Sequence, residues 1–276
     1  MAGDNKDTFD ASAYWRDRVV SGADLGVVGH RSMGPIYNGQ IYERRLEVLD
    51  AMLLRHTNKP AEELRVLDIG CGSGFYTACW AERRVRDYLG VDISLDTIKH
   101  LSSLYPNYQF LQADMTESSI AEFSELPPFD VVSIFDVFYH IINDERFGNA
   151  VGHVASLTAE SGCVLVIDQL FRNRYQLSRH VVYRERESYL TTFRQHQLDL
   201  VDNELLFHFL VPPLSGHRLI DFLAASLFKV AGLIVRVSNT LANWAATKLR
   251  RLDTRLRSNG RRASNSEMLV FNKTQG

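Results

Sequence analysis

Cysteine is scarce in this sequence of 276 residues: there are three, Cys71, Cys79 and Cys163, and no two stand at a metal-binding spacing. Each lies in apolar or glycine-rich surroundings, so reduced thiols are expected rather than a disulfide framework or a cysteine-built metal site. An excess of charge is missing too. The formal net charge of -2 gives the chain as a whole no reason to seek nucleic acid. The opening Met1-Ala2-Gly3-Asp4-Asn5-Lys6-Asp7 is polar and acidic, which does not read as a secretory leader. The apolar stretch 217–250 is interrupted by Asp221, Lys229 and Arg236. A membrane-spanning helix needs about 20 residues nearly free of charge, so this is not one. No internal repeat is found. These absences suggest a cytoplasmic protein. An apolar content of 45% suits one large domain, or one domain with additions, around a packed core.

What is present is organised around Glu63-Leu64-Arg65-Val66-Leu67-Asp68-Ile69-Gly70-Cys71-Gly72-Ser73-Gly74. A short apolar run carrying an acid leads into glycines at alternate positions, and a periodic segment with Phe75, Ala78 and Cys79 follows. This predicts strand, tight turn and helix. Glycine lets the backbone take positive φ and lets a ligand approach the main chain. A dinucleotide-binding loop needs G-x-G-x-x-G, and reading Gly70 and Gly72 as its first pair puts Phe75 where the third glycine belongs. Tyr88-Leu89-Gly90-Val91-Asp92 is a second strand ending in an acid. A carboxylate there, about 20 residues past the loop, can accept from ribose hydroxyls. Ser94 is the expected cap of the helix that follows.

The first stretch resembles motif I of the class I S-adenosylmethionine (SAM)-dependent methyltransferases, a strand followed by (D/E)-x-G-x-G-x-G. Asp68, Gly70, Gly72 and Gly74 fill that pattern. The resemblance implies an α/β fold with a Rossmann-like, seven-stranded, mostly parallel sheet flanked by helices. Its last strand runs antiparallel between strands five and six. SAM is the implied cofactor. Asp68 would face the cationic methionine tail, and Asp92 the ribose. Tyr108 to Met115 ends in a further acid, and the family places such an acid on the adenine amino group, with its neighbour against the ring. Asp114 and Met115 match. Cys71, Ile93 and Phe135 complete the expected cofactor set.

The resemblance continues through Phe129-Asp130-Val131-Val132 to Asp136-Val137-Phe138-Tyr139-His140-Ile141 and the strand Cys163 to Asp168. Methyl transfer to a hydroxyl calls for a base with a pKa near neutrality, and His140 is the candidate. Asp136 stands four residues earlier, so a helical turn would put both on one face and let the carboxylate orient the ring. Some related enzymes carry E-x-x-E-H here and use a divalent ion. Tyr139 replaces one carboxylate, and a phenol is a poor ligand for a hard cation, so no metal is expected.

The outer segments give the expected boundaries: 1–56 as cap or lid, 57–212 as the SAM-binding core, 213–264 as a helical insertion with a basic end, and 265–276 as the final strand. Within the cap, a short helix over 11–20 and a glycine-rich loop precede helix 40–56, whose stripe is Ile41, Leu46, Leu49 and Leu53. Tyr14, His30 and Tyr37 are candidate acceptor contacts. So are Tyr139 and, in the basic aromatic loop 170–184, Arg172 and Tyr175. Lys248, Arg250, Arg251, Arg255, Arg257, Arg261 and Arg262 follow the apolar insertion, so 217–262 is a candidate for peripheral contact with an anionic membrane. The outer segments also resemble methyltransferases found with bacterial polysaccharide and glycolipid genes, through Trp15, Arg18, Gly26-Val27-Val28-Gly29, Tyr37-Asn38 and Pro212-Pro213. The expectation is an O-methyltransferase acting on a small-molecule or glycan hydroxyl. The alternatives are N- or C-methyl transfer, or a catalytically silent SAM-fold scaffold at a membrane.

Overall fold

The computed structural model describes residues 34–207, 239–258 and 266–274, with positions 219, 222, 223 and 226 between them. The expected contacts Tyr14 and His30 lie outside the described residues, as do Trp15, Arg18 and Gly26-Val27-Val28-Gly29 of the matched entry motif, Pro212-Pro213, Arg261 and Arg262.

Seven strands form one sheet in the order β3-β2-β1-β4-β5-β9-β8. They are β1 (Arg65–Ile69), β2 (Asp87–Asp92), β3 (Gln109–Gln112), β4 (Phe129–Phe135), β5 (Thr158–Gln169), β8 (Leu198–Leu205) and β9 (Ser266–Lys273). The first five pair in parallel, and β9 runs antiparallel to both β5 and β8. The expected placement of the last strand is what the sheet shows.

Apolar strands at the centre alternate their side chains between two cores. Val132, Ile134, Val164, Val166, Leu269 and Phe271 face α4 (Asp144–Leu157) and α5 (Arg186–Gln195). Val131, Phe135, Leu165, Ile167, Met268 and Val270 face α1 (Gly34–His56) and α2 (Phe75–Glu82). Each such side chain stabilises the fold by about 1.5–3 kcal/mol on burial. The remaining core helix, α3 (Leu95–Leu104), starts at Ser94, whose Oγ accepts from the Thr97 amide at 3.3 Å.

Two local expectations are corrected. Helix 40–56 begins at Gly34, so the stretch through Asn38 and Gly39 is helical rather than loop. Gly39 costs about 1 kcal/mol in a helix. Burial of Tyr37, Asn38, Ile41 and Tyr42 on one side outweighs it. The segment 170–184 is not a plain loop either. It holds a hairpin of β6 (Tyr175–Ser178) and β7 (Val181–Tyr183), with Tyr175 paired to Tyr183. Val181, Val182 and Tyr183 are buried, which gives the hairpin an apolar side to pack.

Candidate functional site

The glycine loop turns at the carboxyl end of β1. Gly70, Gly72 and Gly74 all have positive φ, at 74°, 50° and 82°. The amides of Gly70 and Cys71 both donate to the Val91 carbonyl, at 2.7 and 3.1 Å, so β2 holds the turn in place. The three glycines do different work. A Cβ on Gly70 would meet Val137 Cγ2 at 2.4 Å, and one on Gly74 would meet Leu101 Cδ2 at 2.4 Å. A Cβ on Gly72 would have nothing nearer than the Gly70 carbonyl at 3.6 Å. Packing therefore requires glycine at the two outer positions. At Gly72 the space is left over, and that is the cradle a cofactor would fill.

The acids near this loop divide in the same way. Asp68 is 2% exposed, and its oxygens accept from the Tyr88 hydroxyl at 2.9 Å and the Ser133 hydroxyl at 2.7 Å. Thr77 in turn donates to Tyr88 at 2.8 Å. Burial pushes the Asp68 carboxyl up to about 6. Where the sequence suggested a contact with the methionine tail, the structure turns Asp68 into the protein as an anchor beneath the loop. Asp92 instead bridges two backbone segments at the cradle. Its Oδ2 accepts from the Gly72 amide at 3.0 Å and its Oδ1 from the Ser94 amide at 2.8 Å. A carboxylate has about four acceptor sites, so capacity remains for a diol. Ile93 follows it, and its carbonyl accepts from Gln112 at 3.3 Å. Asp114 accepts from the Thr116 amide and hydroxyl at 2.9 and 2.6 Å, and pairs with Arg146 at 3.0 Å. Met115 is buried in the first core. Cys71 is buried as well, and burial pushes its thiol up, so it stays neutral.

Past the tip of β4 the chain does not turn helically at Asp136, as one expectation required. Asp136 has φ 61°, its amide donates to the Ile167 carbonyl at 3.0 Å, and a single 3-10 turn spans Phe138–His140. The left-handed residue swings the Asp136 carboxylate toward α1, where both terminal nitrogens of Arg45 donate to it, the longer bond at 3.3 Å. Arg45 also lies over the Tyr42 ring at 5.3 Å and donates to the Tyr76 hydroxyl at 3.4 Å. Tyr76 packs on Phe135, centroids 4.4 Å apart. The ring of His140 has a separate partner. Its Nδ1 lies 3.0 Å from the His180 carbonyl at the tip of the hairpin, and the two imidazoles stack at 6.0 Å. Tyr139 lies 4.4 Å from His140 and 5.7 Å from Tyr183. Burial pushes its hydroxyl far above the usual range.

The other expected acceptor contacts spread out. Tyr37 is 1% exposed and packs within the second core, so its ring covers the sheet rather than facing an open site. Arg172 is exposed, and Tyr175 stacks on Phe171 at 5.8 Å. Among the described residues no cluster of three or more metal-ligating side chains occurs.

Three residues of this region were given no role of their own in the sequence. Arg45 sits within the buried stripe of α1, and a cation there is a signal in itself. Arg184 is 5% exposed beneath the hairpin, donating to Asp144 at 3.0 Å and to the Ile141 carbonyl at 2.7 Å. Asp168 is an acid at the tip of β5, the same signature as Asp92, and is 2% exposed. Burial pushes it up to about 7, opposed in part by the Gln169 amide, which donates to it at 2.6 Å.

Comparison with known proteins agrees with this geometry. A methyltransferase-domain family matches residues 40–210. A probable S-adenosylmethionine-dependent methyltransferase of Mycobacterium tuberculosis (strain ATCC 25618 / H37Rv) is 32% identical over 104 residues, 37% of this chain. The match spans about a third of that relative's length, 34%. Among solved structures, an O-methyltransferase of a trans-AT polyketide synthase from Brevibacillus brevis, in complex with S-adenosyl-L-homocysteine, superposes with a TM-score of 0.57. It is 15% identical, over 91% of this chain and 79% of that one. Coclaurine N-methyltransferase gives 0.51 at 14% identity, covering 82% and 71%. The [4+2]-cyclase SpnF gives 0.52 at 16%, covering 83% and 81%. These likenesses show a shared fold. With the family match across most of the sheet and the glycine cradle joined to Asp92, the chain belongs to the class I S-adenosylmethionine-dependent methyltransferases.

Proposed function

We propose that the chain moves the methyl group of SAM to a hydroxyl oxygen of a small-molecule or glycan acceptor, with His140 as the base. The observation that carries this reading is the contact between His140 Nδ1 and the His180 carbonyl at 3.0 Å. A carbonyl only accepts, so Nδ1 must hold the proton. In the neutral ring the basic lone pair is then on Nε2.

When bound, SAM supplies an electrophilic methyl on a sulfonium, open to attack in line with the S–CH3 bond. The bare face of Gly72 and the remaining acceptor sites of Asp92 would receive the nucleoside, with Asp114, Met115, Ile93 and Phe135 around the base. Arg45 holds Asp136 and closes the wall between α1 and the tip of β4. The neutral Tyr139 hydroxyl offers a donor to the acceptor, and Arg172 and Tyr175 are assigned to its outer part.

A hydroxyl fits this site better than an amine. It must lose its proton as it attacks, and a fixed imidazole base serves that need. A neutral amine is nucleophilic enough to attack without a base and can lose its proton after the transfer. The solved neighbours named above include an O- and an N-methyltransferase and a cyclase. The preference for oxygen therefore rests on His140 and not on the fold. The retained cradle also speaks against a silent scaffold, and calorimetric titration with SAM separates the two.

His140→Ala is expected to keep SAM affinity and to lose turnover by about 10²–10⁴-fold. The assay is mass spectrometry of extracts incubated with isotope-labelled SAM, first to find the product and then to time its formation. Near-normal turnover in the variant removes His140 from this role.

A further inference from the structure

Helix α6 (Asn239–Ser258) has two faces of opposite character. Its inner face is fixed to the protein. Leu249 packs on the second core and Asp253 is buried. Arg250 pairs with Glu43 and Glu47 of α1 and donates to Gln40 at 3.1 Å. Arg250, which the sequence grouped with the basic run, is therefore a structural contact.

The outer face is different. Trp244 is 61% exposed and Leu252 48%, and Lys248, Arg251 and Arg255 are exposed beside them. Spacings of three and four residues put Thr240, Trp244, Thr247, Lys248 and Arg251 together. They line a shallow hollow of about 370 Å³. Asp253 is the sole acid of the helix, and it is on the buried side, so these cations share their face with no carboxylate from α6. Leu219, Phe222 and Leu223, in the segment leading to α6, are also exposed.

We propose that this outer face of α6 docks the enzyme on an anionic lipid bilayer, with Lys248 and Arg251 at the headgroup phosphates and Trp244 and Leu252 at the headgroup boundary. Both halves of the pattern are needed. Single apolar residues are ordinary on a solvated surface, but Trp244 here shares one hollow with Lys248 and Arg251. A nucleic-acid backbone would take the cations and leave Leu252 and the exposed apolar residues without a partner. An anionic bilayer satisfies both, since basic side chains are drawn to its surface and indole rings settle at headgroup level. Among the described residues no helix is long and apolar enough to cross a membrane, so the contact is with the surface.

The placement has a consequence for the acceptor. The helix that Arg250 grips is α1, and α1 also carries Arg45 to Asp136 beyond the tip of β4. Between a bilayer on the outer face of α6 and Asp136 would stand only α6 and α1. That suits an acceptor carried on a lipid. This last step rests on the methyl-transfer reading, while the docking itself does not.

The test is flotation of the full chain with phosphatidylcholine vesicles, with and without phosphatidylglycerol. Binding is expected only with the anionic lipid, weakened by salt. Lys248→Glu with Arg251→Glu is expected to lower partitioning by about 30-fold or more, the loss of two basic contacts. Trp244→Phe is expected to abolish a blue shift of indole fluorescence on the vesicles. Unchanged SAM affinity and Tm show that each variant is folded. Trp244→Ser alone, with weaker partitioning, serves if the charge-reversed chain does not fold. Equal binding to neutral and anionic vesicles overturns the proposal, as does no binding by the parent chain. Binding of single-stranded RNA without vesicle binding assigns the face to nucleic acid and overturns it too. Loss of docking with SAM turnover intact would leave the catalytic reading standing.

Discussion

The amide of Gly72 donates to the Asp92 carboxylate at 3.0 Å, so the most open point of the glycine loop and the acid at the tip of β2 form one unit. The same carboxylate reaches the Ser94 amide, the start of α3. One side chain thus fixes the distance between loop and helix before any ligand enters. Burial raises the Asp92 carboxyl, and the amides of Ser94 and Gly72 oppose that rise by favouring the ionised form.

Substitution at the three glycines should separate packing from binding. Gly74→Ala forces a Cβ to within 2.4 Å of Leu101 at φ 82°, and is expected to destabilise by about 2–4 kcal/mol. Gly72→Ala meets open space, so only the backbone cost of about 1 kcal/mol applies. Its expected effect is on SAM affinity, because the added methyl occupies the cradle. Urea denaturation and calorimetric titration on both variants check this. A Gly72→Ala chain that binds SAM like the parent would show that the cradle is not where the cofactor lies.

Asp92→Asn keeps the size of the side chain but removes its charge and half its acceptor capacity. The Asn amide nitrogen only donates, so one of the two backbone N–H groups loses its acceptor and the carbonyl oxygen alone is left for the other and for a diol. Hydrogen bonds to a charged acceptor contribute about 1.5–3 kcal/mol. SAM affinity is expected to fall about 10–100-fold on that basis. Adenosine and S-adenosylhomocysteine should lose as much, because the ribose is common to all three. Loss confined to SAM would place Asp92 at the sulfonium end instead.

Arg45 and Asp136 test the wall of the proposed acceptor site. Their side chains are 11% and 28% exposed, and they join residues 91 apart in sequence. Removing one partner leaves the other without its counter-ion. Asp136→Asn is expected to destabilise by roughly 2–4 kcal/mol, below the range for fully buried pairs because Asp136 keeps some contact with water. Arg45→Met should do the same. The double variant should recover part of the loss, and a double-mutant cycle by thermal denaturation reads the coupling. Additive losses would mean that the pair does not act as one.

Which parts were legible follows from what carries them. The glycine turn, the acids at the tips of β2 and β3 and the apolar β4 are local patterns, each written in fewer than ten consecutive residues. The place of the last strand came from resemblance, and the antiparallel β9 lies there, between β5 and β8. What stayed hidden is relational. Nothing near Arg45 announces an acid 91 residues later. Positive φ at Asp136 has no signature in its neighbours, and it turned an expected Asp136–His140 face into two separate contacts. The hairpin over Tyr175–Tyr183 was obscured by Arg172, Arg174 and Arg179, which read as a basic loop while Val181 and Val182 supplied the buried side.

The buried acids give the fold a pH dependence of unusual direction. Asp68 and Asp168 are raised from 3.8 to about 6 and about 7. In the unfolded chain both ionise near pH 4, whereas in the folded chain they hold their protons longer. Between those limits the unfolded state binds fewer protons, so their contribution to stability falls as pH rises and levels off above about 7. Asp168→Asn has no proton to lose. Relative to that variant, the parent chain is expected to lose about 2–3 kcal/mol between pH 5 and pH 8. Urea titrations of both proteins across the range measure the difference directly. Parallel curves would mean that Asp168 is already ionised at pH 5, with the nearby Arg184 guanidinium outweighing the effect of burial.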